Sequence, residues 1–129
     1  MPSDFLTLVH RDHADLQLEL TQLLDPEASV VELRMALDGV RLGLTAHAEA
    51  EDIVLGMFDE IPMLTGLLRQ ARDAHLAQEA ALSRLVGARP QTTAWCKRAS
   101  YLRDLVAGHA RQEERQLLPA LREYAPEQY

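Results

Sequence analysis

Apolar residues recur along this chain at alternating steps of three and four, the spacing that lines one face of an α-helix. Pro26, Pro62 and Pro90 divide the pattern into four segments, because proline inside a helix removes a hydrogen bond and crowds the preceding turn. In the first segment Phe5, Val9, His13, Leu16 and Leu20 share a face, with Ser3 as N-cap. In the second, Leu33, Leu37, Val40, Leu44, His47, Glu51, Val54 or Leu55, and Phe58 follow a capping box from Ser29 to Glu32. The third runs Leu64, Leu68, Ala71, His75, Glu79, Leu82 and Val86 and stops at Gly87. The fourth follows Thr92 or Thr93 as N-cap and runs Trp95, Leu102, Leu105 or Val106, His109, Glu113, Leu117 and Ala120, with Pro119 ending or kinking its last turn.

These segments predict helices over about 3–24, 30–60, 63–87 and 92–118, with a short C-terminal turn at 119–125. Short connections between long amphipathic helices make sequential neighbours antiparallel. The expected fold class is all-α, an antiparallel up-down-up-down four-helix bundle forming one domain over 1–129. A hydrophobic fraction of 47% with only 5% aromatic residues agrees, since a sheet would draw on more Val, Ile, Tyr and Phe.

Each apolar seam is interrupted near its middle by polar residues: His13, His47 with Glu51, His75 with Glu79, and His109 with Glu113. A spacing of i, i+4 puts both members of a pair on one side of the helix, one turn apart. The interruptions also repeat. A shift of 62 positions carries His13, His47 and Glu51 onto His75, His109 and Glu113. A single histidine on an apolar helix face is usually a hydrogen-bonded core residue, but a shared spacing in both halves of the chain points to one site built from two copies of a helical hairpin.

Burying several carboxylates in an apolar bundle costs several kcal/mol each unless cations compensate them. Arg72, Arg111 and Arg115 lie near in sequence but off the apolar stripe, so metal ions are the expected counter-charge. Imidazole mixed with carboxylate suits iron, manganese or zinc, whereas calcium and magnesium favour oxygen alone and structural zinc favours cysteine. Seven donors exceed the needs of one ion. Two six-coordinate ions sharing Glu51 and Glu113 as bridges fit them, with iron the expected occupant. His10 maps onto Arg72 under the same shift and falls outside the pattern.

A formal charge of −7 and the lack of a basic stripe argue against a nucleic-acid partner. No apolar run approaches the length of a membrane span. Cys96 has no second cysteine with which to pair, and no basic residue precedes the short apolar run at the N-terminus, so the expected location is the cytoplasm. Gly108 is read either as an opening for close helix approach or as a neutral feature, Tyr101 as a packing residue, and Met57, Phe58 and Met63 as core at one end of the bundle. Cys96 receives no catalytic role.

The arrangement resembles the hemerythrin-like cation-binding domains. The resemblance rests on Asp12-His13, on His47 to Glu51, on Ala74-His75, and on His109 through Glu113, Glu114, Leu117 and Pro119, and it runs from about Phe5 to about Tyr124. It implies two irons joined by an oxo or hydroxo bridge, with His75, Glu79 and His109 on one and His13 and His47 on the other, the second keeping an open position. The oxygen-carrying members have a histidine where Glu79 stands. A carboxylate there would add a negative charge and favour the ferric state, away from reversible oxygen carriage. The implied ligand is therefore oxygen, peroxide or nitric oxide, in sensing or detoxifying chemistry or in iron handling. A metal-stabilised signalling module acting through a protein partner or homodimer, and reversible oxygen storage, are the alternatives.

Overall fold

The computed structural model describes the backbone of residues 2–124 and the side chains of residues 8–124. Four long helices, α1 (Pro2–Gln22), α2 (Val30–Gly56), α3 (Thr65–Val86) and α4 (Thr93–Gln112), form the bundle, and α4 continues through a widened turn, Glu113–Leu117, into a short α5 (Leu118–Tyr124). Among the described residues there is no strand. Contacts between neighbours run in opposite numerical order, which makes the packing antiparallel. Asp12 meets His47 while Leu16 lies beside Gly43, and His75 meets Asp52 while Arg72 meets Asp59. At the far end of α1, Trp95 reaches Leu23, whereas His13 faces Glu114.

Helix starts follow the local chemistry. The Ser29 hydroxyl accepts from the Glu32 amide at 3.1 Å while the Glu32 carboxylate accepts from the Ser29 amide at 3.0 Å, so the expected capping box forms. Thr92, rather than Thr93, caps α4 by accepting from the Trp95 amide. The predicted Ser3 cap and Phe5 packing fall on side chains outside the described residues, as does position 125 of the expected C-terminal turn.

Three boundaries differ from expectation. Helix α2 ends at Gly56 instead of near 60, and a turn leads into a 3-10 turn at Pro62–Leu64 that precedes α3. Pro119 neither ends nor sharply interrupts the last helix. Because proline has no amide hydrogen and its ring crowds the carbonyl four residues earlier, the preceding turn widens, and the Leu118 amide bonds back to the Glu113 carbonyl, five residues away. The expected C-terminal turn is thereby helix α5.

The core is divided in two. At one end Leu20, Leu23, Leu33, Leu85, Trp95 and Leu102 pack together, and at the other Leu55, Phe58, Leu64, Leu68, Leu117 and Leu121 do so. Met57 and Met63, read as core from the sequence, are exposed, and Tyr101 is also at the surface. Gly108 has open space around it: an added Cβ would meet only an Arg111 side-chain nitrogen at 3.9 Å, so it serves no close helix approach.

Trp95 is the largest fully buried side chain, and its indole N–H donates to the Leu23 carbonyl at 2.8 Å, tying the start of α4 to the end of α1. Trp95→Phe removes both volume and that donor, and should cost about 2 kcal/mol of stability. Urea unfolding checks this as a lower midpoint at unchanged slope.

Candidate metal centre

Between the two apolar clusters lies a polar layer composed of His13 from α1, His47 and Glu51 from α2, His75 from α3, and His109 and Glu113 from α4 and its widened turn. All six are buried, Glu51 to 4% and Glu113 to 2% residual exposure. Six of the seven residues expected at the site are thus brought together.

Glu79 is not among them. It is exposed, on the rim of an open groove between α2 and α3, and the buried position one turn beyond His75 is Gln78. The physical reason is helix phase. Leu68, Ala71 and His75 are followed inward by Gln78, Ala81 and Leu85, the step of three that 3.6 residues per turn requires at this point. The i, i+4 step that holds for His47–Glu51 therefore carries Glu79 past the seam into solvent.

The six remaining side chains form two groups that share both carboxylates. His13, His47, Glu51 and Glu113 make one, and His75, His109, Glu51 and Glu113 the other, with the donor atoms of each group within 4.8 Å of one another. Each carboxylate directs one oxygen to each half. Glu51 Oε2 lies 3.1 Å from His47 Nε2 while its Oε1 lies 3.1 Å from His75 Nε2. Glu113 Oε1 lies 3.2 Å from His13 Nε2 while its Oε2 lies 2.8 Å from His109 Nε2. The imidazole rings pair accordingly, His13 with His47 at 5.3 Å between centroids and His75 with His109 at 5.0 Å.

All four Nε2 atoms and all four carboxylate oxygens are buried without a well-directed hydrogen bond among the described residues. Such a concentration of orphaned donors and acceptors is costly as it stands. Lone pairs converging on a common point explain it: adjacent ligands of a six-coordinate ion bound at about 2.1 Å lie about 3.0 Å apart, close to the separations seen here. The residues fit a pair of cations.

Behind the ligands lie acids to which the sequence pattern gave no role of their own. Asp12 lies 3.0 Å from His47 Nδ1, Asp52 lies 2.8 Å from His75 Nδ1, and Glu114 lies 3.1 Å from His13 Nδ1. An N–H donated from Nδ1 to a carboxylate leaves the Nε2 lone pair facing the cluster, sets the ring's tautomer and orientation, and makes it a better donor. A signal for two of them was present, since Asp52 and Glu114 are related by the same 62-residue shift and each follows a central glutamate. His10, half exposed, contacts Glu114 at 2.8 Å and takes no part in the cluster. Arg72 is at the surface with Asp59, and Arg111 and Arg115 are exposed, so none neutralises the buried acids.

Without a cation all four histidines take up a proton more readily than a free imidazole. Burial alone would lower the pKa of His47, but the pull of Glu51 and then of Asp12 outweighs it and raises the value to about 9. Burial likewise opposes, and Glu113 and Glu51 overcome, the rise of His109 to about 9. Glu51, which burial would push up, is held far below the usual carboxylate range by His109, His47 and His75.

Fold and site together define a helical-bundle protein with a buried cluster of histidines and carboxylates that could hold metal. The family model of the hemerythrin HHE cation-binding domain matches residues 1–121, and the chain belongs to that family. No curated protein and no solved structure matches it significantly.

The protonated histidines give the metal-free protein a definite pH response. A pKa raised from 6.5 to about 9 contributes stability that is fully present below 6.5 and is lost as pH rises through 9. Chelator-treated protein should therefore show a falling urea midpoint between pH 6.5 and 9.5, whereas cation affinity should rise over the same range as protons cease to compete. A flat midpoint would show that the histidines are not held protonated by the central acids.

Proposed function

We propose that the chain is a non-haem di-iron protein whose centre binds a small oxidant: oxygen, peroxide or nitric oxide. The observation that carries this reading is the way Glu51 and Glu113 each span the two halves. Each half is then left with two imidazoles and one oxygen from each carboxylate, four protein donors in all. A six-coordinate ion in either half keeps room for a small ligand. The donor spacing of about 3.0 Å and the mixed nitrogen and oxygen set favour iron, with manganese next, over tetrahedral zinc.

Bound iron supplies reversible one-electron chemistry and an electrophilic position for the oxidant. The protein's own residues do the rest. His13, His47, His75 and His109 present neutral Nε2 donors, three of them aligned through Nδ1 by Glu114, Asp12 and Asp52. Glu51 and Glu113 offset the cationic charge, and the leucine-rich layers above and below exclude bulk water. A groove of about 470 Å³ between α2 and α3 is lined by His75 with Asp52, Glu49 and Glu79, and offers a small ligand a route to that half.

The exposed position of Glu79 supports a further point. Its charge sits in solvent and is screened, so it does not bias the centre toward the ferric state. Reversible oxygen binding therefore stands beside oxidant turnover, and mixing reduced, iron-loaded protein with oxygen distinguishes them. Repeated binding and release identifies a carrier or sensor, and rapid oxidation with consumption of peroxide or nitric oxide identifies turnover.

Because both bridging carboxylates touch both halves, Glu51→Ala or Glu113→Ala should lose both irons, whereas His10→Ala should retain them, as measured by metal content after purification. Full iron retention in both glutamate variants overturns the bridging assignment. Glu79→Gln should leave iron content, reduction potential and autoxidation rate unaltered. A shift in potential would return Glu79 to the centre.

A further inference from the structure

The internal repeat pairs nearly every group at the centre with a counterpart 62 residues away. His13 corresponds to His75, His47 to His109, and Glu51 to Glu113. The outer acids obey the same rule across the halves, since Asp52 receives His75 and Glu114 receives His13. One correspondence fails. Asp12, which receives the Nδ1–H of His47, maps onto Ala74, whose methyl group offers no acceptor. His109, the ligand that should be served from that position, has its Nδ1 buried with no hydrogen-bond partner among the described residues.

From this broken symmetry we propose that the two halves of the centre are unequal, the His13/His47 half binding its divalent cation first and more tightly, and the His75/His109 half binding the second cation weakly. The proposal rests on the two-cation reading above. Its physical basis is the behaviour of an imidazole without an outer acceptor. Once His109 gives up one of its two protons to bind, nothing fixes the remaining proton on Nδ1, so part of the neutral population carries it on Nε2, where it blocks the lone pair that should face the cation. The ring also loses the electron donation that a hydrogen-bonded carboxylate gives, and with it some of its strength as a ligand. A buried N–H that remains unpaired costs free energy in every state in which His109 is a ligand. Removal of such an outer acceptor typically weakens a metal site 10–100-fold, and Ala74 is a natural case of that removal. Both halves share the same two carboxylates, so this difference at Nδ1 is not offset by a difference in bridging charge.

Metal-free protein titrated with cobalt(II) alone, followed by calorimetry and by the hyperfine-shifted imidazole N–H resonances, tests this. The wild type should bind two equivalents in separate steps, about 10–100-fold apart in Kd. At one equivalent the shifted N–H signals should be those of His13 and His47, identified by the absence of the latter in His47→Gln. Ala74→Asp should tighten the weaker step and bring the two together, while Asp12→Ala should weaken the tighter step by a similar factor. Asp12→Asn, which keeps an acceptor, should retain most of the tight binding and so separates the hydrogen bond from any effect on folding. The combined Asp12→Ala, Ala74→Asp protein should again show two steps, with His75 and His109 giving the first signals. Two equal steps in the wild type, or a weaker step unmoved in Ala74→Asp, overturn the proposal while leaving the paired centre intact. Fewer than two equivalents, or no imidazole N–H shifted by cobalt, would remove the two-cation reading and this proposal together.

Discussion

Two buried carboxylates govern the rest of this structure. Glu51 and Glu113 lie in the middle of a leucine-rich bundle with less than a twentieth of their surface in contact with solvent. Among the interactions of the described residues the groups around them are imidazoles, which are neutral when ligating, and no guanidinium or ammonium is paired with either. An ionised pair in that position is tolerable only with positive charge between the helices, from protons on the histidines or from cations. The four helices, their antiparallel order and the registers at which they pack are what bring six such side chains to one level.

The energetic consequence is a division of labour along the bundle axis. The apolar clusters above and below hold the helices together whatever occupies the middle, since Leu20, Leu33, Leu85 and Leu102 in one and Leu64, Leu68 and Leu121 in the other are almost fully withdrawn from solvent. The middle layer contributes specificity of register. A slip of one residue in any helix would turn a histidine or glutamate about 100° off the shared seam and leave its polar atoms without partners, at a cost of several kcal/mol.

Much of this could be read from the chain. The steps of three and four located all four helices, the Ser29–Glu32 box and the Thr92 region marked two of their starts, and the 62-residue repeat selected the six central residues from among all the polar ones. Glu79 was misplaced for a definite reason: after His75 the inward position is three residues on, at Gln78, and a polar residue stands at both candidates, so pattern alone does not separate them. Asp12 and Glu114 were read only as neighbours of ligands within the family motif and Asp52 not at all, because an acid beside a ligand on the margin of a helix face looks like any solvated charge until the neighbouring helix is in place. The end of α2 at Gly56 and the continuation beyond Pro119 depend on how adjacent turns pack and hydrogen-bond.

The widened turn at Glu113–Leu117 has a consequence for how one helix can serve two different interiors. An extra residue in a turn rotates everything downstream by about 100° relative to a regular helix. Upstream, Ala99, Leu102, Val106 and His109 face the bundle in regular succession, and beyond the wide turn Leu117, Leu118 and Leu121 face it on a new phase. The turn thus acts as a rotary joint frozen in place, allowing the last stretch of the chain to close the lower apolar chamber while Glu113 keeps its aim into the middle layer. Drawing the same residues into a regular turn would be more than a tightening. It would turn the closing segment's apolar face toward water and uncap the chamber beneath the polar layer, whereas deletion of one residue with the turn closed up would keep that face inward.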